Sequence, residues 1–361
     1  MISAMTESGP RRAQIVGTGL IGGSLGLGLR RLGWHVTGDD LDPANSARAL
    51  ELGCLDATGT DTAAELTFLA VPVGSVVPAA LDALARGGIV TDVGSVKSPV
   101  VDALEDPRFV GGHPMAGSEA LGVDGARADL FSGAVWVLTP TPATDSSALA
   151  TVHSVVRQLG AEVLTLGPGD HDALVATVSH VPHLTAASLM GLASERSTEH
   201  QALLRLAAGG FRDMTRIAAG DPRIWLDICQ DNRGAILDVL DDLIGSLGEM
   251  RSVIDRGDTA QLDRRLRAAQ VARRSLPTGA PPAEELSELR VSIPDRKGEL
   301  AAITALATEL SVNIHDIEVA HSVSERGGLL ILVVDTERAE QLAEAIQSQV
   351  VDRTVSIHEL A

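Results

Sequence analysis

The chain has 361 residues, of which 45% are hydrophobic and 21% charged, with a formal net charge of −19 and a pI near 4.8. That length exceeds one ordinary core and calls for two or three domains, the composition is globular rather than disordered, and the negative field disfavours nucleic acid and anionic membranes as partners. Cys54 and Cys229 are too few for a disulfide framework, no apolar run reads as long enough to span a bilayer, and the first residues lack a signal-peptide core; a soluble cytoplasmic protein is expected.

Residues 1–10 read as a loose tail. The first strand, 13–16, runs into Gly17, Gly19 and Gly22, the spacing of a dinucleotide fingerprint, and an apolar helix follows over 20–31. Gly17 permits the tight turn, Gly19 lets the backbone approach a pyrophosphate, and Gly22 lets the helix pack closely on the strand. The helix N-terminus offers free N–H groups and a partial positive charge to an anion. A second strand, 34–38, ends in Asp39 and Asp40, an acid about 20 residues on, placed to meet a ribose diol. A carboxylate there would repel a 2′-phosphate, so the expected cofactor is NAD rather than NADP.

Further short apolar runs at 66–71, 88–92, 108–111, 134–139 and 161–165 alternate with helical patterns at 43–52, 75–86 and 146–159. This alternation predicts a Rossmann-type, parallel, doubly wound α/β domain over 11–169. Ligands of such sheets sit at the carboxyl ends of the strands, which draws attention to Asp40, to Val71-Pro72-Val73, to Asp92–Lys97 and to His113–Glu119. A histidine at position 113 could take a proton from a carbinol as its hydride leaves for a nicotinamide. Ser95 could hold the imidazole or the substrate hydroxyl.

From 170 to 276 the pattern is almost wholly helical, with apolar residues at i, i+3 and i+4. Such a domain often buries its faces against a twin, so a homodimer is expected. His180 and His183 share a helix face, with no third ligand at a recognised spacing for a metal; they read as polar groups facing a cleft. In Gly209–Ala218, Arg212 and Arg216 offer planar forks suited to carboxylates, with Asp213 and Thr215 able to orient them. The arginines at 264, 265, 267, 273 and 274 read as a solvated face paired with acids such as Asp263. Residues 277–287 form a linker around Pro277-Thr278-Gly279-Ala280-Pro281-Pro282. Beyond it, residues 288–361 read as strand 289–293, helix 298–309, strands 312–320 and 327–335, helix 337–348 and strand 353–359. This βαββαβ order is compatible with a ferredoxin-like split, with Gly327-Gly328 turning between the central strands.

Together, Gly17–Gly22, Asp92–Lys97, His113–Glu119, Ser179–His183 and Gly210–Ala218 resemble the prephenate/arogenate dehydrogenase family of tyrosine biosynthesis over residues 11–275. The remainder resembles an ACT domain, with Ile293–Leu300 as its first strand-to-helix turn. The resemblance implies an NAD-dependent oxidative decarboxylation of prephenate. His113 is then the catalytic proton acceptor, with Ser95 in the same polar cluster. Arg216 binds the ring carboxylate, His183 lines the substrate pocket beside Ser118, and Trp225 helps wall it. Gly17, Gly19, Leu20, Ile21, Gly22, Asp40 and Val71 hold NAD. Asp39-Asp40 departs from the single acid usual in the family, and Asp40 keeps the family's offset from Pro43. The C-terminal module implies regulation by a small amino acid contacting Asp295, Gly298, Asn313 and Ile314. Arogenate as substrate, or a non-catalytic NAD and amino-acid sensor, are the alternatives. A β-hydroxyacid dehydrogenase is disfavoured because its helical half would carry a lysine, and the lysines here are Lys97 and Lys297.

Overall fold

The computed structural model describes residues 10–117, 122–198, 202–276, 286–294, 296, 298–321, 328–349 and 354–359. Residues 1–9 of the predicted tail, Ser118, Asp295, Gly327 and most of the predicted linker lie outside them. The chain forms two compact units, one up to Gly257 and one from Asp258.

The first unit opens with β1 (Arg12–Val16), α1 (Leu20–Arg31), β2 (His35–Asp39), α2 (Pro43–Glu51), β3 (Ala57–Thr58) and β4 (Leu66–Leu69). It continues with α3 (Val73–Arg86), β5 (Ile89–Asp92), α4 (Ser98–Asp102), β6 (Phe109–Pro114), β7 (Val135–Thr139), α5 (Ser146–Gln158) and β8 (Glu162–Thr165). One eight-stranded sheet has the order β3-β2-β1-β4-β5-β6-β7-β8. The winding reverses between β1 and β4, which opens a crevice at their carboxyl ends. Strand interiors such as Ala13, Ile15, Leu66 and Phe68 are wholly buried because helices cover both faces.

The expectation of an all-parallel sheet is corrected at one place. β6 and β7 pair antiparallel, with His113 opposite Val137 and Gly111 opposite Thr139. A parallel return needs a long crossover, usually a helix, and between these strands the described residues offer only the 3-10 turn Val123–Gly125. The short β3 was also not foreseen; two residues give no periodicity to read.

The helical half comprises α6 (Pro168–Val175), a π-turn at Ala176–His180, α7 (Val181–Ser197) and α8 (Gly209–Thr215). A 3-10 turn at Arg216–Ala219 leads to α9 (Pro222–Asp231) and α10 (Arg233–Asp255). Pro182 has no N–H to return to the preceding turn and its ring crowds the carbonyl there, so the ladder widens just before it. The stretch Pro168–Ser197 is, by length and composition alone, apolar enough to cross a membrane, which corrects the reading that no run is. It is nonetheless part of the first unit's packing, with His171, Asp172, His180 and His183 buried along it. Leu69, Val76, Val90, Val101 and Phe109 share one apolar cluster with Ala176, Val181, Ile228 and Ile236. The predicted border near residue 169 is therefore no break between compact units.

The second unit contains α11 (Thr259–Arg274), β9 (Leu286–Ile293), α12 (Glu299–Glu309), β10 (Ile314–His321), β11 (Gly328–Asp335), α13 (Thr336–Gln349) and β12 (Val355–Glu359). Its antiparallel strands lie in the order β10-β11-β9-β12. Leu289, Val291, Ile303, Leu306, Leu330, Leu332, Leu342 and Ile346 fill the core between sheet and helices. Residues 286 and 287, expected in the linker, already belong to β9. On α11, Arg267 pairs with Asp263 at 2.8 Å one helical turn away.

Candidate active site

The glycine loop sits at the β1/β4 crevice. Gly17 has φ +90°, and a Cβ there would lie 2.3 Å from the Ala70 carbonyl oxygen, with Val71 close behind. A Cβ on Gly22 would lie 1.9 Å from the Gly17 carbonyl oxygen. Gly19, by contrast, faces open space with nothing within 4 Å. It is the N-cap of α1, no side chain caps that end, and no acid lies in the first turn, which Leu20 and Ile21 begin. Orphan N–H groups thus point at a space that a side chain would otherwise close, the requirement for a pyrophosphate.

Asp40 stands over this loop. Its carboxylate accepts from Thr18 N–H at 2.7 Å, Thr18 Oγ1 at 3.2 Å, Asp42 N–H at 3.0 Å and Asn45 Nδ2 at 3.1 Å. Burial opposes its ionisation, but these hydrogen bonds hold the carboxyl below its ordinary range. Asp39 ends β2 with an exposed side chain and gives the loop only its carbonyl, which accepts from Gly17 N–H at 2.8 Å.

Along the same carboxyl edge, β5 and β6 end in a desolvated polar cluster. Lys97 and Asp92, both 0% exposed, form an ion pair. Lys97 Nζ also donates to the Gly112 carbonyl at 2.8 Å, while Asp92 accepts from Gly112 N–H at 3.1 Å and Gly94 N–H at 2.9 Å. Burial pushes the Lys97 ammonium down against the pull of Asp92 and Asp172. Both polar groups of the Gly112 backbone are therefore held by this pair, immediately before His113.

His113 lies at the tip of β6, with its Nδ1 2.8 Å from His171 Nε2. His171 Nδ1 is in turn 2.8 Å from Asp172 Oδ1. Asp172 also accepts from the backbone N–H groups of Lys97 and Ser98, each at 2.8 Å, and so joins α6 to the start of α4. Asn232 donates from Nδ2 to the Asp172 carbonyl at 2.8 Å and contacts His180 Nδ1 at 3.1 Å. Burial pushes the His113 imidazolium well below the ordinary histidine range, with the charges of Lys97, His171 and His180 acting in the same sense and Asp172 against them. Burial also lowers His180, to about 4, and His183.

His183 stacks on Trp225 with ring centroids 3.5 Å apart and planes 10° apart, and His180 meets the same indole edge-on at 6.2 Å. Both histidines thus serve one face, as their spacing predicts. Gly220 fits beside this stack, where a Cβ would lie 3.4 Å from His183 Cε1 and from Trp225 Nε1. The 3-10 turn that Arg216 begins packs along α7, and the Arg216 side chain is exposed.

Of the two roles expected of Ser95, holding the imidazole is not the one the structure shows. Ser95 is half-buried and makes no hydrogen bond to His113; the imidazole is held by His171 instead. Thr215 is buried, and its hydroxyl donates to the Phe211 carbonyl at 2.8 Å within its own helix. His171, Asp172 and Asn232 escaped the sequence reading altogether. The available signal was a charged and a titratable residue side by side in an otherwise apolar helical run. In the second unit, Gly298 is the left-handed N-cap of α12 with φ +95°. Asn313 Nδ2 lies 3.3 Å from His315 Nδ1, and Ile314 packs partly buried against the core.

An uncapped glycine cradle and a neutral imidazole on one edge of a doubly wound sheet define a dinucleotide-dependent oxidoreductase. Comparison with known proteins narrows the class. Residues 25–165 match the family model for the prephenate dehydrogenase nucleotide-binding domain, and residues 167–268 match that for the prephenate dehydrogenase dimerization domain. A prephenate dehydrogenase of Bacillus subtilis is 35% identical over 92% of this chain and 95% of its own length. The crystal structure of prephenate dehydrogenase from A. aeolicus in complex with hydroxyphenyl propionate and NAD+ is similar with a TM-score of 0.69 and 34% identity, covering 73% of this chain and 97% of that one. Synechocystis arogenate dehydrogenase is similar with a TM-score of 0.64 and 33% identity, covering 73% and 98%. The chain belongs to the prephenate dehydrogenase family.

Proposed function

We propose that the protein catalyses the NAD-dependent oxidative decarboxylation of prephenate to 4-hydroxyphenylpyruvate, as a soluble cytoplasmic enzyme of tyrosine biosynthesis. The observation that carries this reading is the neutral His113 imidazole, whose Nε2 makes no hydrogen bond to any described residue, on the same carboxyl edge as the glycine cradle. Gly17, Gly19, Leu20, Ile21 and Gly22 would cradle the NAD pyrophosphate, Val71 would border it, and Asp40 would take the ribose diol. NAD, when bound, supplies the hydride acceptor.

His113 Nε2 takes the hydroxyl proton of the ring carbinol as the hydride leaves its carbon. The C–CO2 bond at the far side of the ring then breaks, its electron pair completes the aromatic ring, and the proton returns to the phenol oxygen. Aromatisation drives the step, so the protein chiefly orients and solvates the reactant. Arg216 would hold the ring carboxylate. The His183–Trp225 stack, with Ser118, would border the ring, and Ser95 would meet the hydroxyl. Arogenate is the second reading, favoured by the similarity to an enzyme named for it. Initial-rate measurement of NADH formation with prephenate and with arogenate separates the two, and no NADH with either would reject the oxidoreductase reading.

The protein would act as a homodimer. A groove of about 570 Å³ lined by Val181, Pro182, Met214, Ile217, Val239 and Leu243 opens on the helical half, beside exposed Leu174, Val178, Ile244 and Leu247. The βαββαβ module has the sheet order of a ferredoxin-like fold and reads as an ACT domain. Its amino-acid effector would contact Asp295, Gly298, Asn313 and Ile314. Calorimetry of the full chain with L-tyrosine and L-phenylalanine tests this, and no heat with either removes the effector.

A further inference from the structure

His171 and Asp172 are adjacent on α6 and both buried, and the reaction as outlined uses neither. Asp172 is ionised: burial opposes it, but hydrogen bonds from His171, Ser98 and Lys97 keep its carboxyl below the ordinary range. An ionised carboxylate only accepts hydrogen bonds. At the 2.8 Å contact, His171 Nδ1 must therefore carry the hydrogen. A His171 whose only hydrogen is on Nδ1 presents a bare Nε2, the form that a proton acceptor at His113 Nε2 requires. The 2.8 Å contact between that nitrogen and His113 Nδ1 holds one hydrogen, which sits on His113. The lone pair of His113 is thereby confined to Nε2.

We infer that His171 and Asp172 are positioning residues that lock His113 in the tautomer able to accept a proton at Nε2. The inference rests on the reading of His113 as proton acceptor. The neighbouring histidine is set in the opposite sense. Asn232 Nδ2 has two hydrogens; one goes to the Asp172 carbonyl and the other to His180 Nδ1. His180 then carries its own hydrogen on Nε2 and cannot stand in as acceptor. At Nε2, His113 thus accepts and His180 donates.

The same chain of contacts answers the charge that forms during turnover. As the substrate O–H bond breaks and a bond to His113 Nε2 forms, the ring becomes an imidazolium with its Nδ1–H still on His171. The Asp172 carboxylate, one ring further on, is the anion facing that charge. Lys97 of the β5–α4 loop, itself paired with Asp92, opposes it, and His180 of the π-turn does so only once protonated.

Nitrogen-15 spectra of the full-length protein labelled at histidine, assigned with His113→Asn, read the tautomer directly. The expected state is hydrogen on Nδ1 and none on Nε2; the reverse overturns the inference. Two substitutions then separate positioning from packing. His171→Leu removes the acceptor for Nδ1–H, and kcat should fall on the order of 100-fold with prephenate KM within about threefold. The acid side of its kcat profile should also move, because His113 loses the neighbour that fixes its tautomer. His171→Gln keeps a carbonyl oxygen for Nδ1–H and should restore kcat to within about tenfold of the parent. Unchanged kcat and pH profile in His171→Leu, with His113→Asn inactive, would reject the positioning pair and leave the acceptor in place. Turnover persisting in His113→Asn would reject the acceptor itself. Should His171→Leu fail to fold, the parent spectrum and His171→Gln still decide.

Discussion

At the scale of single residues, the site depends on which groups stay neutral. His113→Asn is expected to bind NAD and prephenate but to lose turnover by about 100-fold or more, the usual worth of a positioned base; single-turnover kinetics reads the loss. Arg216→Ala should raise KM for prephenate far more than it lowers kcat, because a carboxylate clamp serves ground and transition states alike. An unchanged KM would put Arg216 outside the pocket. The neutral histidines also set acid stability. His180, lowered to about 4, stays unprotonated in the folded protein, whereas in the unfolded chain it takes a proton below about 6.5. Stability is therefore whole above that value and falls as pH drops toward 4, by about 3 kcal/mol for this residue alone. Burial shifts His113 and His183 in the same direction. Urea midpoints measured from about pH 7 to about pH 4 should decline steadily; a flat profile would mean these rings are not buried neutral in solution. His113 and His183 were legible in the sequence because each follows a recognisable break, a strand end or a proline turn. His171 and Asp172 were not, because only the folded chain brings α6 against β6.

At the scale of elements, α1 shows what the glycines do. Gly22 and Gly26 let the helix lie on β1 and on the Cys54 carbonyl, where a Cβ would come within 1.9 and 2.2 Å of backbone oxygens. Gly19 has no such neighbour. Gly22→Ala should thus lower the melting temperature, whereas Gly19→Ala should leave it near the parent value and weaken NAD binding. Calorimetric unfolding and NAD titration of the two variants check the split, and equal melting losses would refute it. The strands and helices of the sheet were legible from apolar runs alternating with 3.6-residue periodicity. Strand direction was not. A run such as 134–139 looks the same whichever way it pairs, and the reversal at β6–β7 goes with a connection whose described residues hold no crossover helix, which the loop composition did not announce.

At the scale of the whole molecule, the chain forms two compact units. The helical half leaves Ile244 and Leu247 of α10 exposed at 64% and 58%, a large apolar exposure for a solitary chain. Ile244→Glu with Leu247→Glu should convert a dimer into a monomer in sedimentation equilibrium. A parent chain that sediments as a monomer would remove the dimer from the proposal. Changes of texture were legible at the helical onset near residue 170 and at the proline-rich stretch at 277–282, whereas the compact units divide between Gly257 and Asp258. That the first two segments share one apolar cluster was not, since periodicity reports which residues are buried and not against what.

The π-turn ahead of Pro182 has a consequence for how this helix tolerates length changes. A π-turn amounts to one residue more than the ladder needs, and each residue of an α-helix advances about 100° around its axis. Losing a single residue from Ala176–Ser179 would give a smoother helix, yet it would swing everything upstream by roughly a quarter turn relative to α7. His183 would keep its place against Trp225 while His171 left the side that meets β6. The irregular segment is in this sense a phase shifter, holding two stretches of one rod out of step so that one meets His113 and the other Trp225.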